Sequence, residues 1–114
     1  MARIRKFGRK SNLRKALIKG LALSLIKKGR IKTTEAKAKS LRPFIERLIT
    51  VGKKQNLPAR RFLLSELFNN KEAVQKILKD YAPKYANRPG GYTRILKIQE
   101  RKSDAARQSL IEFV

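Results

Sequence analysis

Apolar positions along the chain recur mostly at helical spacing. From Leu13 to Lys28 the residues Leu13, Ala16, Leu17, Leu21 and Leu25 form one stripe, with Arg14, Lys15 and Lys19 off it. Ser11 or Asn12 suits the N-cap of that helix and Gly29 its C-terminal stop, so the stripe is expected to be core. Arg30 to Thr33 carries β-branched Ile31 and Thr33 and reads as a short strand, after which Thr34 caps a second helix with Glu35 in its first turn. Ala38, Leu41, Ile45, Leu48 and Ile49 share one face of that helix; Pro43 within it predicts a kink or two abutting helices. Asn56 and Pro58 open a third helix with Phe62, Leu63, Leu64, Leu67 and Phe68 on its apolar face. Asn69 and Asn70 close it and cap a fourth, where Ala73, Val74, Ile77, Leu78 and Tyr81 form a stripe that Pro83 is expected to stop.

Beyond Pro83 the pattern changes. The turn cluster Asn87-Arg88-Pro89-Gly90-Gly91 has two glycines that tolerate positive φ, and strand-like composition follows in Tyr92 to Gln99 and Gln108 to Val114, with polar Glu100 to Arg107 between. This reads as a hairpin with a longer loop. The order is helix, strand, three helices, two strands: an α+β fold with a small three-stranded sheet and helices packed on one of its faces. Ile95 adjoins Leu96 and Leu110 adjoins Ile111, so alternation does not reveal which sheet face is wet.

Charge changes the picture most. Thirty Lys+Arg against eight Asp+Glu leave a net +22 on 114 residues. On a folded body of this mass, that is roughly one uncompensated cation per 290 Å² of surface. Such a field calls for a polyanion. Twelve cations precede the first acidic residue, Glu35. Met1 to Asn12 holds Arg3, Arg5, Lys6, Arg9 and Lys10 with too little apolar material to fold alone. The segment 1–12 is therefore expected to be an extended basic arm ahead of a single α+β domain, 13–114. Arg14, Lys15, Lys19, Lys28, Arg30 and Lys32 continue its positive surface, and Lys28 also complements a helix C-terminus.

Catalytic chemistry finds little support. The chain has no Cys, His or Trp, which excludes Cys- or His-ligated metals, thiol nucleophiles and imidazole-based triads. Ser24 and Lys27 match Ser-x-x-Lys, but neither companion motif of that enzyme class occurs. The eight carboxylates are dispersed among excess cations, a setting that lowers their pKa values rather than poising one as an acid. No phosphate-loop or dinucleotide fingerprint is present, so no cofactor and no small-molecule substrate are expected. The basic N-terminus and Ala16 to Ile26 echo a signal peptide, yet Lys27, Lys28, Gly29 and Arg30 follow instead of a cleavage site, and no apolar run is long enough to span a bilayer. A cytoplasmic protein without a membrane partner is expected. A second candidate cluster surrounds the diglycine: Arg88, Gly90, Gly91, Tyr92, Arg94 and Lys97. There the backbone could approach a phosphate, and Tyr92 either packs on the sheet or stacks on a base.

Three segments carry a resemblance: GRIKTTEAKAKSLRPFIERLITVGKK (29–54), RPGGYTRILKI (88–98) and SDAARQSLIEFV (103–114). Together they resemble the bacterial large-subunit ribosomal protein family numbered seventeen, over nearly the whole chain. The resemblance implies a structural, non-catalytic constituent of the large ribosomal subunit that binds large-subunit ribosomal RNA, lies toward the peptide-exit side and neighbours other large-subunit ribosomal proteins. It maps the family's basic segment onto Arg3 to Lys15 and its diglycine segment onto Arg88 to Lys97. The chain departs from the family where Leu13-Arg14 replaces a His-Arg pair, Lys28 replaces a His, and Ser103-Asp104 replaces Gly-Asp. A nucleoid-type DNA-binding protein is the competing class with the same charge. A cationic membrane-surface protein is the weaker rival, because the first helix is expected to use its apolar face on the core.

Overall fold

In a computed structural model, the structure describes residues 2–98 and 107–114, with side chains from residue 12 onward. Five helical elements and three strands follow one another: α1 (Ala2–Lys28), β1 (Arg30–Thr34), α2 (Glu35–Gly52), α3 (Leu57–Glu66), α4 (Lys71–Lys76), α5 (Ala82–Lys84), β2 (Thr93–Ile98) and β3 (Gln108–Phe113). A π-helical turn, Ile77–Tyr81, joins α4 to α5. This is the expected α+β order.

The first departure is α1. Residues 2–12 are not extended: their backbone continues the helix, giving 27 residues with no cap at Ser11 or Asn12. Arg, Lys, Ala and Leu are good helix formers, and adding residues to an existing helix avoids the nucleation cost. Among the α1 residues with described side chains, Ala22, Leu25 and Ile26 are buried in the core. Of the expected stripe, Leu25 is buried and Leu21 partly so, while Leu13 is 68% and Leu17 44% exposed. The stripe is correct in period but runs past the end of the body it packs on. Gly29, at φ 84, ends the helix as expected.

Thr34 both ends β1 and caps α2, accepting from the Lys37 N–H at 3.4 Å. Helix α2 is the central pillar: Ala38, Leu41, Ile45, Leu48 and Ile49 are all fully buried, and Pro43 lies inside one element, not between two abutting helices. Gly52 at its end is buried because a Cβ there would lie 2.8 Å from Ile77 Cγ2. Asn56 and Asn70 cap α3 and α4, with their side-chain oxygens accepting from Ala59 N–H at 2.9 Å and Ala73 N–H at 3.0 Å. Between those helices Phe68 and Asn69 both adopt left-handed backbone, φ 55 and 57. That turn lifts Phe68, expected on the core face, into solvent at 54% exposure.

Pro83 does not stop the fourth helix. The π turn already uses an i→i−5 bond from the Ala82 N–H to the Ile77 carbonyl, and Pro83 has no N–H to continue either ladder. The Leu78 carbonyl instead accepts from Gln55 Nε2 at 2.8 Å.

The sheet order is β1-β3-β2, antiparallel throughout. Register places Ile31, Ile111 and Ile95 in one row against the helices, with Thr33–Ser109–Lys97 and Thr93–Phe113 beside it. The opposite face carries Arg30–Glu112–Arg94 and Lys32–Leu110–Leu96, which answers the question alternation left open. The polar hairpin loop Glu100 to Arg107 lies outside the described residues except for Arg107, as does the expected strand end at Gln99.

Candidate nucleic-acid interface

The diglycine loop is built from the body outward. Gly90 and Gly91 hold φ 132 and 65, and a Cβ on either would meet nothing within 4 Å, so glycine is needed there for backbone conformation rather than for space. The loop is tied to α2 from two sides. Glu46 accepts from the Gly91 N–H at 3.1 Å, the Thr93 N–H at 3.2 Å and the Thr93 hydroxyl at 3.0 Å. Lys53 Nζ donates to the Arg88 carbonyl at 2.7 Å and to the Tyr92 hydroxyl at 3.0 Å, while Thr50 Oγ1 lies 3.2 Å from the same hydroxyl.

Tyr92 is consequently structural. Its ring is 1% exposed and tilted against Tyr85, with centroids 5.2 Å apart, leaving no face for a base. Burial pushes its phenol up, but the hydrogen bonds of Lys53 and Thr50 and the Lys53 charge outweigh burial and hold its pKa below the usual tyrosine value. Tyr81 and Tyr85 shift the other way, chiefly through burial. The Gly91 N–H, being bonded to Glu46, is not directed at a phosphate. What the loop presents outward is Arg88, exposed, with Arg94 and Lys97 on the following strand.

Besides Arg88, the sequence-predicted cations with described side chains fall in four places. Arg30, Lys32 and Arg94 share the open sheet face, where Arg94 Nε lies 3.2 Å from Glu112. Lys97 is turned to the sheet edge near Glu35, whose carboxyl is held below its usual pKa mainly by the hydrogen bond and charge of Lys39. Lys28 is exposed at the end of α1, near where Lys76 Nζ donates to the Lys27 carbonyl at 2.9 Å. Arg14, Lys15 and Lys19 line a groove between α1 and α2 together with Arg47, Phe44, Ile18 and Glu66. Arg47, Phe44 and Glu66 escape sequence reasoning because they lie 25 or more positions from Lys19 along the chain, on other helices, and only folding brings them to α1. The side chains of Arg3, Arg5, Lys6, Arg9 and Lys10 lie outside the described residues.

Among the described residues no His, Cys, Asp or Glu group could hold a metal ion, and no helix is long and apolar enough to cross a membrane. The sequence profile of the family described as Ribosomal protein L17 matches residues 17–114. The chain belongs to the ribosomal protein L17 family. It is 53% identical over 112 residues to the large ribosomal subunit protein bL17 of Bdellovibrio bacteriovorus, covering 98% of this chain and 61% of that relative. It is also 51% identical to bL17 of an Exiguobacterium species, covering 96% of this chain and 97% of the relative, and 51% identical to bL17 of Fusobacterium nucleatum, covering 96% and 94%. All three relatives bear the name of a large ribosomal subunit protein.

Proposed function

We propose that the protein is a non-catalytic structural constituent of the large ribosomal subunit that binds and organises large-subunit ribosomal RNA in the cytoplasm, beside other large-subunit ribosomal proteins. The observation that carries this reading is a net charge of +22 on a member of a large-subunit family. Phosphates crowd together where RNA helices pack, and this chain brings cations to that crowding on a rigid frame. Helix α1 carries Arg3, Arg5, Lys6, Arg9, Lys10, Arg14 and Lys15 away from the core-packed half. Lys28, Arg30 and Lys32 follow at its other end, and Arg88, Arg94 and Lys97 extend the surface from the clamped loop across β2. The buried Tyr92 and the bonded Gly91 act on RNA only by fixing that loop. Specificity then comes from the shape of folded RNA, since no aromatic-studded sheet is present to read bases.

Nitrocellulose binding of purified large-subunit RNA across a salt series tests this. With on the order of eight phosphate contacts, log affinity falls against log salt with a slope of about −6 to −7. An affinity indifferent to salt refutes the mechanism. Equal affinity for duplex DNA and ribosomal RNA favours the nucleoid-type alternative.

A further inference from the structure

The groove between α1 and α2 differs in chemistry from the rest of the cationic surface. Its volume is about 440 Å³, within the range of small-ligand sites, and its lining combines partly buried Ile18 and Phe44 with Arg14, Lys15 and Arg47. Lys19 and Glu66, also in the lining, form an ion pair of 3.2 Å. Two of these groups are held in place: the Arg47 guanidinium lies 5.1 Å over the Phe62 ring, and Lys19 sits 5.9 Å over Phe68. Lys15 and Arg47, both exposed, thus share this lining with an ion pair that Lys19 and Glu66 already make.

A lining that joins apolar and aromatic side chains to exposed cations matches one ligand chemistry closely. A phosphate chain alone gains nothing from Ile18 and Phe44, and an apolar ligand alone gains nothing from the cations. A nucleotide has both parts. We propose that this groove takes an unstacked nucleotide of the bound RNA, its base on Phe44 and Ile18 and its flanking phosphates against Lys15 and Arg47. This rests on the RNA-binding reading above and adds to it a contact that depends on a base. A fixed rim lowers the ordering cost of the contact.

Fluorescence anisotropy of the full chain tests it with two labelled RNA oligomers of equal length and charge, oligoadenylate and an abasic ribose-phosphate strand. The expected result is at least about five-fold tighter binding of oligoadenylate, the low end of a base stacked on an aromatic ring. Phe44→Leu, which keeps apolar volume, brings the two affinities together. Arg47→Ala, an exposed position, weakens both oligomers alike. Equal affinities in the wild type, or a preference that survives Phe44→Leu, overturn the groove. Should Phe44→Leu not fold, photo-crosslinking of a thiouridine-containing oligomer to the wild type decides: adducts at Ile18 or Phe44 support the proposal, and adducts only elsewhere overturn it. Salt-sensitive binding of large-subunit RNA with no base preference removes the groove alone. Failure to bind that RNA removes the RNA-binding reading as well.

Discussion

Replacing Glu46 by Ala removes the carboxylate that holds the diglycine loop to α2. Three donors lose their partner: the Gly91 N–H, the Thr93 N–H and the Thr93 hydroxyl. They are not equivalent. Gly91 is exposed, so water replaces the carboxylate at little cost, whereas Thr93 is 2% exposed and its two donors are left in a dry site. Each buried donor stranded in this way costs about 1–3 kcal/mol. The hydroxyl can rotate toward another acceptor and the amide cannot, so the expected loss is about 2–4 kcal/mol. The Arg42 ion pair at 3.7 Å, with Arg42 about half exposed, adds no more than a few tenths.

Urea unfolding followed by circular dichroism measures this directly. Glu46→Gln keeps one acceptor oxygen and is expected to lose about half as much as Glu46→Ala. In a Thr93→Val background the cost of Glu46→Ala shrinks by the hydroxyl's share, about 1 kcal/mol. A loss under about 0.5 kcal/mol for Glu46→Ala refutes the reasoning, since that is the size of an ordinary surface change.

The exposed half of α1 predicts that Leu13→Ala leaves stability within about 0.5 kcal/mol while Leu25→Ala lowers it by about 2–5 kcal/mol; equal losses in urea melts contradict the structure. Ser109 Oγ is buried without a hydrogen-bond partner, so Ser109→Ala is expected to raise stability by about 1 kcal/mol, and a loss contradicts that. The three tyrosines titrate apart in the native state, Tyr92 below the usual value and Tyr81 and Tyr85 above it. A lowered folded pKa favours the native state as pH rises through it, and raised ones remove stability at still higher pH. Phenolate absorbance should therefore rise in two native steps, the first lost in Tyr92→Phe, and a single native step near the unfolded value refutes the assignment.

Much of this fold is legible because local rules and tertiary packing agree. Thr34, Asn56 and Asn70 cap the helices their positions suggest, and the α2 stripe is buried residue for residue. Where reading failed, the deciding contact was remote in sequence. Periodicity marked Leu13 and Leu17 as one face of a helix, but the length of body beneath that face depends on α2 and α3. Pro83 reads as a stop by local rules, and the bond from Gln55 to Leu78 that compensates for it lies 23 residues away in sequence. Tyr92 looked equally like a packing residue and a stacking platform until Lys53 and Thr50 claimed its hydroxyl. Leu13 and Leu17 also remove the ground on which a membrane-surface role was set aside, since neither spends its side chain on the core. The proposed RNA role therefore rests on the family and the charge, not on the packing of α1.

Among the described lysines, two groups differ in what they touch. Lys53 and Lys76 point inward to carbonyls and a phenol, Lys53 at 2.7 and 3.0 Å and Lys76 at 2.9 Å. Lys15, Lys28 and Lys32 are exposed. If the first pair is structural, Lys53→Met lowers stability by about 1 kcal/mol, since the Arg88 carbonyl loses its partner and the Tyr92 hydroxyl keeps Thr50 alone, while the apolar stem remains. It should leave the salt slope of RNA binding unchanged. If the exposed lysines meet phosphates, each Lys→Met change there leaves urea unfolding within about 0.5 kcal/mol and makes the slope shallower by about 0.7–0.9. Measuring both quantities on all five variants gives a double dissociation that total charge cannot produce, because each variant removes one positive charge from the same chain. Equal slope changes in all five would mean that RNA senses only the summed field, and that the division between structural and phosphate-binding lysines has no energetic content.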